Sequence, residues 1–89
     1  MKPINYKKAT WQERQKIREE YIIEQCNNCY FCGKPLNEEP VHDKEINWNL
    51  FPKNFLQHSI HLHHSHKTGL TLGAVHAYCN AVLWQYHHE

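Results

Sequence analysis

The chain has 89 residues, 40% of them hydrophobic, and a formal net charge of +1, which bounds it to one small domain and excludes a uniformly basic nucleic-acid binder. A domain of this size buries only about 60–65% of its unfolded surface, so a metal, a disulfide or a partner subunit is expected to supplement the core. No run is long and apolar enough to span a bilayer, and the N-terminal stretch Met1–Lys8 lacks the apolar centre of a secretory signal.

Residues 1–9 read as an extended arm, with Pro3 opposing early helix. Thr10-Trp11-Gln12-Glu13 has the form of a capping box and predicts a helix from Trp11 to Gln25, with Ile17, Tyr21 and Ile22 as a loose apolar stripe and Asn27-Asn28 as its stop. The first 18 residues set Lys2, Lys7, Lys8, Arg14, Lys16 and Arg18 against Glu13 alone, a basic patch able to contact phosphates. A solvated helix face with a loose start would carry the same charges. Cys29 to Leu36 reads as a tight turn between two short extended pieces.

Residues 37–57 are loop, marked by Glu38-Glu39-Pro40 and broken by Pro52. Within it Ile46, Trp48, Leu50, Phe51, Phe55 and Leu56 are expected to pack over the core rather than to stack on bases. From Ser59 to His64 the pattern alternates, placing Ile60, Leu62 and His64 on one face and His61 and His63 on the other. Lys67-Thr68-Gly69 is turn material and Leu70 to Val75 a returning strand. A last helix starts near Ala77 and carries Ala81, Val82, Leu83 and Tyr86.

Two groups of residues carry chemistry. Four cysteines among nine histidines, in a chain without a visible secretory signal, are expected to be reduced and to hold metal rather than disulfides. Cys29-x-x-Cys32 and His76-x-x-Cys79 are two pairs whose spacing turns both members toward one ion, as a tetrahedral structural zinc requires. Gly33 supplies the backbone freedom of such a turn. Cys26 forms an overlapping pair with Cys29 and competes with Cys32 or His76 for a place at the metal. Lying at a helix end with no glycine after it, it reads instead as a small buried hydrophobe.

The second group is His63, His64 and His66 with Asn80. Imidazole both holds metals and accepts protons near neutral pH. Neighbours on a strand point to opposite faces, so His63 and His64 are expected to take different tasks. Asn80 follows Cys79 directly, and a zinc site would fix it relative to the hairpin. Imidazole and amide-oxygen donors with positions left for water and phosphate suit a catalytic Mg²⁺ or Mn²⁺. A histidine-rich tract with incidental metal affinity is the alternative.

With these residues set out, the chain resembles the HNH (ββα-metal, His-Me finger) endonuclease superfamily, and within it the phage recombination endonuclease VII-like branch. The resemblance spans roughly residues 26–86 and rests on Cys29-x-x-Cys32, His63-His64-Ser65-His66-Lys67-Thr68-Gly69, Gly73 and His76-Ala77-Tyr78-Cys79-Asn80. It implies a small α+β fold: a ββα-metal unit over residues 26–89, stapled by a zinc knuckle, behind an N-terminal arm and helix over residues 1–25 that contact DNA or form a homodimer face. It further implies an intracellular, phage-type, metal-dependent endonuclease that cuts duplex or branched DNA to 5′-phosphate and 3′-hydroxyl.

Residue by residue, the resemblance makes His64 the general base, His63 and Asn80 the ligands of a catalytic Mg²⁺, Mn²⁺ or Ni²⁺, and His66 the group that orients or polarises the scissile phosphate. Cys29, Cys32, His76 and Cys79 would hold structural zinc. Three positions depart from the pattern. His63 stands where aspartate is usual, as in colicin-type relatives that place the first of two histidines on the metal. His76 replaces a cysteine, which makes zinc affinity more acid-sensitive. Leu72 stands where an arginine is expected before Gly73, at the expense of one phosphate contact. His87 and His88 read as an exposed tail rather than the last histidine of an HNH triplet. The alternative function is a zinc-stapled nucleic-acid-binding module without catalysis.

Overall fold

The structure is a computed structural model that describes residues 3–40 and 43–88; Lys2 of the basic patch lies outside them. The first helix, α1 (Trp11–Glu24), starts where its capping box places it. The Thr10 hydroxyl accepts from the Glu13 amide at 3.2 Å and the Glu13 carboxylate accepts from the Thr10 amide at 2.9 Å, so two amides that a helix start leaves unpartnered are satisfied. These bonds to Thr10 hold the Glu13 carboxyl below its ordinary range. The helix ends one residue before Gln25 because Cys26 (φ 55) and Asn27 (φ 64) turn left-handed.

An antiparallel hairpin follows, β1 (Ile60–His64) and β2 (Thr71–His76), and then α2 (Ala77–His87), which makes a small α+β architecture. Both helices pack on the hairpin. The core joins Ile17 and Tyr21 of α1, Cys29 and Leu36 of the Cys29–Leu36 turn, Leu62 of β1, Ala74 and Val75 of β2, and Cys79 and Leu83 of α2. The two extended pieces around that turn meet in a single bridge, Asn28 to Pro35. No helix of the described residues is long and apolar enough to cross a membrane.

The outer edge of β2 is covered rather than left as an open template. Thr71 exchanges bonds with Ile4, its amide donating to the Ile4 carbonyl at 2.9 Å and its hydroxyl accepting from the Ile4 amide at 3.0 Å. The Tyr6 amide donates to the Gly69 carbonyl at 2.9 Å, so the N-terminal arm runs beside the hairpin turn. Further along, the Gln25 side chain imitates a neighbouring strand, with its amide nitrogen on the Ala74 carbonyl at 2.9 Å and its oxygen on the Ala74 amide at 2.9 Å. Gly73 makes room for this clamp. A Cβ there would lie 2.8 Å from the Gln25 side-chain oxygen and 2.8 Å from Cγ of Tyr30. Gly73→Ala is therefore expected to lower stability by about 1–3 kcal/mol through overpacking. A urea midpoint equal to that of the parent would show that the clamp yields freely.

Two expectations change. Residues 46–56 do not roof the core: Trp48, Leu50 and Leu56 are 41%, 50% and 54% exposed. Their rings form a separate layer, with Phe51 4.7 Å from Phe55, Phe51 5.4 Å from Trp84 and Trp48 5.8 Å from Tyr78. The two helices and the cysteine turn have already closed the core. The segment is tied to α2 instead, through the Tyr78 hydroxyl on the Lys44 carbonyl (2.6 Å) and the Asn47 amide on the Gln85 side chain (3.0 Å). The hairpin register also shifts between His63 and His64: His63 faces Gly73 but His64 faces Thr71, which leaves Leu72 of β2 as the extra, unopposed residue. Such an irregularity bends and twists the strand that carries it, and here it lies opposite the two histidines.

Candidate metal centre and histidine cleft

Cys29, Cys32, His76 and Cys79 bring their ligand atoms within 4.8 Å of one another. Cys32 Sγ and Cys79 Sγ lie 3.5 and 3.6 Å from His76 Nδ1. A tetrahedral zinc with bonds of about 2.3 Å to sulfur and 2.0 Å to nitrogen needs donors about 3.3–3.8 Å apart. The arrangement fits a zinc-like ion. The tautomer is arranged for it too: His76 Nε2 donates to the Pro35 carbonyl at 2.9 Å, leaving the Nδ1 lone pair on the sulfur side.

Local structure explains the geometry. The Cys29 amide donates to the Lys34 carbonyl (2.8 Å) and the Gly33 amide to the Cys29 carbonyl (3.0 Å), closing a tight knuckle in which Gly33 takes φ +75. The Phe31 amide points at Cys29 Sγ from 3.4 Å. The other pair straddles the β2–α2 junction: His76 is the N-cap of α2 without a side-chain cap bond, its ring being turned to the sulfurs, and Cys79 lies in the first turn.

A hydrogen bond from the Cys79 thiol, opposed by burial and helped by backbone amides, holds Cys29 down to about 4. The same pairing, with burial, pushes Cys79 up. A divalent ion at the cluster would displace the thiol protons of its cysteine ligands, so binding would depend on pH. Cys26 takes no part. It is exposed, neither a ligand nor the buried hydrophobe its sequence context indicates, because the left-handed turn at residues 26 and 27 carries it outward.

Next to the cluster along α2, where Asn80 directly follows Cys79, a cleft of about 280 Å³ is lined by His63, His64, His66 and Asn80 together with the Phe51, Phe55 and Trp84 rings. His63 and His64, consecutive in β1 and beside the register shift, both line this cleft. His63 is 2% exposed and its ring centroid lies 6.3 Å from that of Tyr30. The His64 imidazole stacks on Tyr6 (4.0 Å, 6°) and meets His66 edge-on (5.0 Å, 79°). Tyr6 is held in turn by Arg14, whose Cζ sits 3.9 Å above its ring and whose Nε and Nη2 donate to its carbonyl at 2.8 and 2.6 Å. Burial, and then the positive fields of His66, His63, Arg14 and Lys7, hold the His64 imidazole down to about 4. It is neutral at physiological pH.

His61 joins the site through a role that its alternation on the strand does not reveal. Its Nε2 bonds the Phe55 carbonyl at 2.8 Å and therefore carries the proton, while its Nδ1 accepts from Asn80 Nδ2 at 3.1 Å. Donation from the nitrogen orients the Asn80 amide and reserves its oxygen as an acceptor or cation ligand. Burial holds His61 below its ordinary range, consistent with a neutral ring locked in one tautomer. The one legible signal is that His61 and His63 share strand parity with spacing two. His87 and His88 are exposed at the end of α2, outside the cleft.

Compared with protein-family models, curated proteins and solved structures, the chain has no match.

Proposed function

We propose that this chain is a metal-dependent DNA endonuclease of the HNH (ββα-metal) type, in which the hairpin and α2 form the catalytic unit and the Cys/His cluster holds structural zinc. The observation that carries the reading is the convergence of His63, His64, His66 and Asn80 on one cleft, beside a four-ligand cluster that fixes the β2–α2 corner. Structural metal with histidines in incidental proximity would not call for a neutral, ring-stacked imidazole and an oriented amide in the same cleft.

In this reading His64 takes a proton from water as that water's oxygen forms a bond to phosphorus. The bond from phosphorus to the 3′ oxygen breaks, and the 3′ oxygen leaves to be protonated by solvent, giving 5′-phosphate and 3′-hydroxyl. His66 donates to a phosphate oxygen and fixes the phosphate in line. His63 and the Asn80 oxygen would hold Mg²⁺, Mn²⁺ or Ni²⁺, which supplies charge stabilisation to the phosphate when bound. His61 keeps that oxygen turned outward, and the Arg14–Tyr6 stack fixes the plane of the base. Leu72 brings no cation to the place where the resemblance leads one to expect arginine.

The test is a nicking assay. Zinc-loaded protein converts supercoiled plasmid to open circles when Mg²⁺, Mn²⁺ or Ni²⁺ is added, and not when the added ion is omitted. Failure to nick with any of the three sinks the reading. The pH profile gives a second check. An imidazole of ordinary pKa is only about one quarter neutral at pH 6, whereas His64 gains its proton only as pH falls through about 4. His64 is therefore expected to contribute no inflection near 6.5 to the kcat/KM profile for nicking while zinc remains bound, and an inflection there that is lost in His64→Gln but kept in His66→Gln would contradict the assigned base.

A further inference from the structure

The charges of α1 are segregated in a way that the net charge of the chain conceals. Arg14 and Arg18, four residues apart, share one face of the helix and line a groove of about 320 Å³ that also takes in Asn54, His58, His61 and His64. Glu13, Glu20 and Glu24 lie on another face, about a third of a turn away, around a separate groove with Lys16. On its other flank His64 borders a third groove, of about 420 Å³, with Lys7 and Lys67. Among the described residues no carboxylate lines either groove that touches His64. Arg14 is engaged by Tyr6, so it shapes the wall. Arg18, one turn further along, is the cation the groove presents.

The geometry points to a track for the DNA backbone that crosses His64, with Arg18 of α1 binding a phosphate next to the scissile one on one side and Lys7 and Lys67 receiving the strand on the other. This rests on the endonuclease reading and adds to it which face of the N-terminal helix meets DNA: the Arg14/Arg18 face, away from the glutamates. A strand laid there replaces condensed counterions with fixed cations. The contact is sequence-independent, so it positions DNA over His64 without selecting bases.

The experiment measures fluorescence anisotropy of a labelled DNA duplex with the full-length zinc-loaded protein, across a salt series and without added Mg²⁺, so that binding is read apart from cleavage. Arg18→Ala is expected to weaken binding about fivefold and to lower the slope of log affinity against log salt by about one. Arg18→Lys retains most of the affinity, and Lys16→Ala, on the glutamate face, leaves both quantities at the parent's values. Circular dichroism and zinc content confirm that each variant is folded. Equal affinities for Arg18→Ala and the parent, or equal losses for Arg18→Ala and Lys16→Ala, overturn the track even if the protein nicks DNA. Salt-dependent binding that responds to Arg18 in a protein that never nicks supports the track and removes the nuclease.

Discussion

Cys79→Ser is expected to abolish metal binding and the folded state together. Cys79 is 0% exposed, belongs to the core cluster and offers its sulfur to the same point as Cys29, Cys32 and His76. Serine is close to cysteine in volume, so packing alone costs little; the loss comes from the fourth ligand. A structural zinc site of this kind contributes apparent free energies of about 10–16 kcal/mol, against a total stability of about 5–15 kcal/mol for an ordinary domain. An 89-residue chain whose core is a few side chains from each element has little to set against that loss. The variant should lack bound zinc by elemental analysis and lack a cooperative thermal transition by circular dichroism. Stripping the parent with a chelator should reproduce this, and added zinc should reverse it. Cys26→Ser, at an exposed thiol outside the cluster, should change neither quantity. A Cys79→Ser protein that melts like the parent without metal would show the cluster to be dispensable.

His64→Ala is expected to behave in the opposite way, removing activity and sparing the fold. The side chain is half-buried at the rim of the cleft and is not a member of the core. Its stack on Tyr6 is worth about 0.5–1.5 kcal/mol of stability. Loss of a positioned general base costs about 10²- to 10⁴-fold in rate. Nicking should fall by that factor while zinc content, melting temperature and DNA affinity stay near the parent's. A variant that nicks at the parental rate would exclude His64 as the base and shift attention to His66, the next imidazole in the cleft.

The elements and the ligand set were legible because their signals are local. A capping box is read across four residues, and Thr10 and Glu13 form it as expected. Two pairs at two-residue spacing can turn onto one ion whatever surrounds them, and the structure brings Cys29, Cys32, His76 and Cys79 together. Alternation followed by Lys67-Thr68-Gly69 yields the hairpin. Cys26 was misread because its exposure depends on a left-handed turn with no glycine to announce it. The apolar segment at residues 46–56 does not join the core as its composition suggests, because composition records apolar mass while its ring partners, Tyr78 and Trp84, lie 30 and 33 residues further along, on α2.

What the sequence determined by itself is the order of the elements, the four side chains that can hold a metal and the presence of three clustered histidines ahead of Asn80. Each follows from the periodicity or spacing of neighbours in the chain. What only the tertiary structure decided is the arrangement of those histidines. The register shift between His63 and His64 depends on the partner strand. The plane of His64 depends on Tyr6, 58 residues earlier, and the orientation of Asn80 on His61, 19 residues earlier. Period-two alternation assigns His63 and His64 to opposite faces, yet both line the same cleft, beside a register shift that only the pairing of the strands reveals.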